Sequence, residues 1–313
     1  MTQQGRAGGE EEDFVADHPQ RIAILGAGAV GGMLGVLLAD AGHAVTVLAT
    51  DRTSTAINSA GLTLRSGRYG NRHAWVPARP WLTEPVDLLF VTVKAPDLLG
   101  ALARVPPALA SGATVVPLLN GIDHVPLLRA VFGDAAVTPM TVGVEATRVA
   151  PGVIEHLSPF ADYAAAADRP GTGLDPAAVL EKAGLDVDTS APDEATLLWR
   201  KLSFLCPLAL ITTSMREAIG PAREARADVL DALVTETAAA AAQGGARIDP
   251  DTVRQRLSSL PATMLSSMLK DAMTGAVLEL DAIAGPVLRA APDGAPVTRS
   301  VVAEITRGAA TPS

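Results

Sequence analysis

The sequence predicts a doubly wound α/β domain followed by an all-helical domain, and three observations predict it. A β-branched run at 21–25 ends in glycines, an apolar-periodic stretch follows at 30–41, and a second strand comes at 44–49. That is a βαβ unit, which implies a parallel sheet with a right-handed crossover. Further runs at 87–93 and 113–118 are apolar over most of their length, as strands covered on both faces must be. From Glu194 onward the chain is helix-forming almost throughout.

The remaining segments fit this division in order. Residues 1–20 are polar and acidic (Glu10, Glu11, Glu12, Asp13) with no apolar stretch of signal-peptide type, so they read as a disordered tail. Between 136 and 165, short alternating stretches flank the turn Ala150-Pro151-Gly152, which predicts antiparallel strands extending the sheet edge. A helix at 176–183 and a strand at 185–189 lead to Ser190-Ala191-Pro192-Asp193, where a cap and a proline open the helical region. The expected boundary is near Ala191, dividing 21–191 from 192–313. Helices are expected at 197–210, 222–242, 248–259, 263–272 and 278–291.

Composition excludes several functions. With 25 Lys+Arg against 34 Asp+Glu, a net charge of -9 and 3% aromatics, neither a phosphate-neutralising surface nor a base-stacking platform is expected, so nucleic acid is set aside. The one cysteine, Cys206, excludes an intramolecular disulfide and a cysteine-rich zinc site, and fits a reducing, cytoplasmic setting. The five histidines are scattered without H-x-x-x-H spacing, so no metal site is expected. The apolar run 202–215 carries Pro207 and falls short of the ~20 residues that span a bilayer, so no membrane association is expected.

Gly26-Ala27-Gly28-Ala29-Val30-Gly31 is G-x-G-x-x-G between a strand and a helix, the context of a Rossmann-type dinucleotide site. The first glycine makes the turn, the second admits the pyrophosphate and the third packs helix on strand; the helix N-terminus at Ala29 and Val30 supplies the anion site. At the end of the second strand stands Thr50-Asp51-Arg52. An acid there favours the NAD ribose and a basic residue the NADP phosphate; Asp51 reads either as the ribose acid or as the cap of a helix at 53–60, Arg52 either as the phosphate contact or as a solvated side chain, and the reading leans to NADP over NAD.

Lys94 and Asn120-Gly121 follow predicted strands, at the carboxyl ends where ligands bind in open α/β sheets. In the helical half, Trp199-Arg200-Lys201-Leu202 puts a lysine in an amphipathic helix, where it points either to the cofactor or, snorkelling, to solvent. Glu279 lies between Leu278 and Leu280 inside a mostly apolar helix, and an acid in such surroundings needs a partner.

Taken together, the glycine motif, Thr92-Val93-Lys94-Ala95, Asn120-Gly121, Trp199-Arg200-Lys201-Leu202, Ser266-Ser267-Met268-Leu269-Lys270-Asp271 and Glu279-Leu280-Asp281 with Gly285 resemble the ordered motifs of ketopantoate reductases. The resemblance runs from about Arg21 to Thr306. It implies NADPH-dependent reduction of 2-dehydropantoate to pantoate, a step of pantothenate biosynthesis, on a Rossmann domain joined to a helical domain like the C-terminal one of 6-phosphogluconate dehydrogenases. It further implies Lys201 as general acid, Glu279 holding substrate beside it, Asn120 and Ser267 on the substrate, and Lys94 near cofactor and substrate. The resemblance implies Asn120 and Glu279 as cofactor contacts as well.

One departure stands out. The family's lysine helix usually bears asparagines four and eight residues on; here those positions are Leu205 and Ala209. Leucine removes a hydrogen bond and lines the pocket with apolar surface, so the substrate is either 2-dehydropantoate or a more apolar 2-keto acid or carbonyl. Substitution by Thr212, Thr213 or Ser214 through a local shift is the other way to restore polarity. A non-catalytic NADP-binding sensor is the alternative of another class, because a dinucleotide fold does not fix activity. Apolar helix residues 229–234 suggest a homodimer face.

Overall fold

The computed structural model describes residues 18–169 and 173–309, so the expected disordered tail falls almost entirely outside the described residues. The chain opens β1 (Arg21–Leu25), α1 (Ala29–Asp40), β2 (Ala44–Leu48), α2 (Asp51–Ala60), β3 (Leu62–Ser66), β4 (Gly70–Ala74), β5 (Ala78–Arg79) and β6 (Leu88–Val91). It continues with α3 (Leu98–Leu102), β7 (Thr114–Pro117), α4 (His124–Phe132), β8 (Met140–Ala150), β9 (Val153–Ala166), α5 (Pro176–Lys182) and β10 (Val187–Ala191).

The expected parallel sheet is present in the order β5-β2-β1-β6-β7. Its period-2 alternation sorts the strands' side chains into two cores: Ile22, Ile24, Leu88, Phe90 and Val116 face one, and Ala23, Leu25, Leu89, Val91 and Val115 the other. Coverage on both faces is why these strands read as continuous apolar runs. Neighbours β2 and β6 flank β1 on opposite sides, so the crevice at the carboxyl ends of β1 and β6 is the topological switch point.

The strands between 140 and 166 do not extend that sheet, contrary to the sequence-based expectation. They form a second one, β10-β9-β3-β4, with β8 antiparallel to β9 through the 150–152 turn. The first half of β9 pairs with β3 and its second half with β10, both parallel. Helix α1 shares a core with both sheets, which is why Met33, Leu34, Val36, Leu37 and Leu38 are all buried and the helix has no polar face.

The helical half comprises α6 (Glu194–Met215), α7 (Ile219–Ala225), α8 (Ala227–Gln243), α9 (Pro250–Ser258), α10 (Ser267–Thr274), α11 (Leu280–Ala290) and α12 (Pro296–Ala309). Asp193 starts α6 by accepting the amide of Thr196 at 2.6 Å. By length and composition α6 is apolar enough to cross a membrane, but 67% of its most apolar window is buried, and Trp199, Leu202, Cys206 and Leu210 centre the helical core. The single helix expected at 222–242 is two helices, because Arg226 leaves helical geometry at φ -137° and ψ 49°. Leu230, Leu233 and Val234 turn into this core, with Val229 partly buried beside it.

Candidate active site

Where the two halves meet, one cavity of about 1950 Å³ runs from the β1–α1 turn to α6, α9, α10 and the start of α11. Gly26, Gly28, Ala29, Val30, Thr50, Arg52, Lys94, Asn120, Lys201, Leu205, Ser267 and Glu279 all line it. Residues distant in sequence are therefore gathered as the motif reading expects. Gly31 is packed behind the turn: a Cβ there would stand 2.0 Å from the Gly26 carbonyl oxygen and 2.4 Å from Thr92 Oγ1. The same Thr92 hydroxyl donates to the Leu25 and Gly26 carbonyls at 3.1 and 2.9 Å, tying the end of β6 to the turn. Gly28 is the opposite case. A Cβ on it would meet nothing within 4 Å, so the helix N-terminus opens on free space, the place an anion takes at a helix start.

At the end of β2, Thr50 takes the cap position of α2 and Asp51 is its first residue, two residues earlier than the expected start at Thr53. Asp51 is thus in the first turn instead of capping it, where its charge suits the helix dipole. Arg52 lines the cavity with no ion pair among the described residues. The glycine cradle, with the cavity open in front of it, fits a nicotinamide dinucleotide.

Lys201 lies in the second turn of α6, partly buried, and its Nζ donates to the Leu119 carbonyl at 3.4 Å. Burial lowers its pKa to about 8, against the opposing pull of the Glu279 charge. Glu279 is 4% exposed. It sits at the N-terminal boundary of α11, not inside the helix as expected, and its side chain caps nothing there. Instead its carboxylate crosses the cleft, accepting from Asn120 Nδ2 at 3.0 Å and from the Ala95 amide at 3.2 Å. Gly121 makes that crossing possible: with φ +85° it brings the loop so close to α11 that a Cβ would stand 2.3 Å from the Ala282 carbonyl oxygen.

Lys94 reaches across as well, with Nζ 2.6 Å from both carboxylate oxygens of Asp271 on α10. Ser267, first residue of α10, is exposed to the cavity, whereas Ser266 is buried, caps the helix by accepting the Leu269 amide at 3.1 Å and shares a 2.7 Å hydrogen bond with Thr212. Thr212 is thereby committed to the helix interface, and Ala209 is fully buried in the helical core. Neither lines the cavity, so Leu205 alone carries the departure at the pocket wall.

Two neighbours carried no sequence signal. His124, at the start of α4, is 5% exposed with neither ring nitrogen hydrogen-bonded; burial first and the Lys201 charge second lower its pKa to about 4. Arg256 lies over the Phe204 ring in the cavity wall, a pairing of residues 52 apart that no local pattern announces.

Fold and cleft together define a nicotinamide dinucleotide-binding oxidoreductase. Family models described as ketopantoate reductase PanE/ApbA and ketopantoate reductase PanE/ApbA C terminal match residues 22–168 and 195–305, and the chain belongs to this family. It is 27% identical over 301 residues to the uncharacterized oxidoreductase YkpB of Bacillus subtilis (strain 168), covering 91% of this chain and 97% of that one. It is 30% identical over 281 residues to a 2-dehydropantoate 2-reductase of Mycobacterium tuberculosis (strain CDC 1551 / Oshkosh), covering 86% and 90%. The PanE/ApbA family ketopantoate reductase structure from Ralstonia eutropha JMP134 superposes with a TM-score of 0.82 at 27% identity, over 92% of this chain and 98% of that one.

Proposed function

We propose that the protein reduces the 2-carbonyl of a 2-oxo acid with NADPH, 2-dehydropantoate being the first substrate to test and pantoate its product. The observation that carries this reading is a lysine with a pKa of about 8 and a buried acid, Glu279, in the same cavity as an open glycine turn. When bound, the dinucleotide supplies the hydride. As the carbonyl carbon is attacked, charge develops on its oxygen; Lys201 stabilises that charge and then gives its proton to the oxygen. A pKa lowered to about 8 keeps the lysine protonated at neutral pH yet makes it a readier donor than an exposed lysine.

Glu279 keeps the lysine charged in its buried setting and, through Asn120 and Ala95, holds the loops after β6 and β7 against the helical half. Ser267 and Asn120 offer a hydroxyl and an amide to the substrate's polar groups. Gly28, Ala29 and Val30 present the first-turn amides of α1 to a pyrophosphate, and Arg52 its guanidinium to a 2′-phosphate. A second reading, a more apolar 2-oxo acid, is favoured by Leu205 in the cavity wall.

The test is oxidation of NADPH, and in parallel NADH, followed at 340 nm with 2-dehydropantoate and a series of less polar 2-oxo acids. The expected result is turnover with NADPH that Lys201→Ala reduces by about 10²–10⁴-fold. Turnover unaffected by Lys201→Ala would overturn the assignment, and tight NADPH binding with no turnover of any 2-oxo acid would favour a non-catalytic sensor. Arg52→Gln is expected to weaken NADPH without weakening NADH.

A further inference from the structure

Arg256, near the end of α9, holds its guanidinium 4.1 Å above the centre of the Phe204 ring. Both residues line the cavity beside Leu205. Phe204 and Leu205 follow Lys201 by three and four residues on α6, so both lie one turn from the lysine on its own face, about 5–6 Å away between Cβ atoms. The helical half brings Arg200, Lys201, Arg256 and Lys270 to the cavity lining. Arg200 bonds Ser190 and stands 4.0 Å from Asp188, Lys270 is paired with Glu145 at 2.6 Å, and Lys201 lies in the field of Glu279. Lys94, facing them, is held by Asp271. Among the described residues, Arg256 has no carboxylate partner.

We propose that Arg256 anchors the substrate's carboxylate and is the residue that selects 2-oxo acids over uncharged carbonyl compounds, an inference that rests on the reduction argued above. A guanidinium offers a planar fork that matches a carboxylate in bidentate geometry, and its seat over the Phe204 ring positions that fork before substrate arrives. With the carbonyl oxygen at Lys201, the two substituents of the carbonyl carbon diverge. The carboxylate goes to Arg256 over Phe204, and the side chain lies on Leu205. The substrate class is therefore 2-oxo acids with an apolar or aromatic side chain, with neither Leu205 nor Phe204 offering a partner to a hydroxyl on it.

The probe is N-phenyloxamate, an aromatic 2-oxo acid analogue whose amide carbonyl is not reduced, titrated calorimetrically into the NADPH-saturated wild type, Arg256→Gln and Arg256→Lys. Turnover of an aromatic 2-oxo acid and of its methyl ester is measured on the same proteins. Arg256→Gln is expected to weaken the probe, and to raise KM for the acid, by about 10- to 100-fold, the worth of a charge-assisted hydrogen bond, while KM for the ester stays unchanged. Arg256→Lys should recover part of the loss, keeping the charge without the fork. Equal binding in wild type and Arg256→Gln, or equal losses for acid and ester, would overturn the anchor and leave the reduction standing. Arg256-dependent binding of the probe with no turnover of any 2-oxo acid would overturn the reduction and leave the anchor standing.

Discussion

Asn120 Nδ2 donates to Glu279 Oε2 across 3.0 Å, joining the loop after β7 to the start of α11 over 159 residues of sequence. The other oxygen of the same carboxylate accepts the Ala95 amide, so the acid is held at both ends by the Rossmann half while its charge acts on Lys201 in the helical half. A carboxylate suits this position because both partners are donors. Glu279→Gln keeps the shape but offers one oxygen where two are needed and removes the charge. The expected outcome is a pKa for Lys201 lower than about 8, read as a fall of the alkaline limb of kcat/KM to lower pH, with a loss of about 10-fold or more in rate at neutral pH. An unshifted limb would mean that the Glu279 charge does not reach the lysine.

Lys201 makes a prediction in two directions. As a general acid it works protonated, so the reduction rate should be level below pH 8 and fall above it. Folding lowers its pKa from 10.5 to about 8, so the unfolded chain holds its proton more tightly, and burying the charge costs stability at neutral pH. That cost is full below about pH 8 and fades as the pH rises toward 10.5. Lys201→Met should therefore lower reduction by about 10²–10⁴-fold yet raise stability at pH 7 by about 1 kcal/mol or more, a Tm increase of roughly 2–4 °C. A lower Tm in Lys201→Met would show that the lysine's contact with the Leu119 carbonyl outweighs its desolvation.

The glycine turn separates fold from function. Gly28→Val places a side chain in open space, so the Tm should stay within about 1 °C while dinucleotide affinity falls by about 100-fold or more, since the β-carbon occupies the pyrophosphate path. Gly31→Ala is the reverse, because its Cβ would stand 2.0 Å from the Gly26 carbonyl oxygen, backbone that cannot swing aside. A loss of about 2 kcal/mol or more in stability is expected, checked by urea unfolding of both variants beside titration with NADPH.

The local parts of this architecture were legible in the sequence and the long-range parts were not. Strand, glycine turn, helix and second strand are each dictated within a few residues by hydrophobic period and backbone geometry, and 21–48 folds as its pattern says. What a strand joins is decided elsewhere: Thr63 pairs with Val153 and Tyr163 with Val187, and nothing within either segment announces that they build a separate sheet. The hairpin of β3 and β4 gives little local signal because Gly70–Ala74 is exposed except at Ala74, and the apolar residues of α12 match partners on α6, α8 and α11. Glu279 reads from sequence as an acid needing a partner, which Asn120 supplies; that it caps no helix depends on where α11 starts. Arg256 had no signal at all, because only the packing of α9 on α6 sets it over Phe204.

Leu205 is the position where pocket polarity is decided by one side chain. Ala209 and Thr212 are both fully buried, with Thr212 bonded to Ser266, Thr213 is buried and Ser214 donates to the Ile211 carbonyl, and none of the four lines the cavity, so none compensates for the missing amide. Leu205→Asn restores a donor and an acceptor in the cavity wall one turn from Lys201. For a substrate carrying a hydroxyl on its side chain, such as 2-dehydropantoate, kcat/KM should rise by about 10-fold, as a hydroxyl otherwise left unpaired gains a partner. For an apolar 2-oxo acid of the same size it should fall by about 10-fold, because the amide is then the group left unpaired. The quantity to measure is the ratio of the two kcat/KM values in wild type and variant. A ratio that does not move would show that the side chain of the substrate does not lie on Leu205, and would place it along another wall of the cavity.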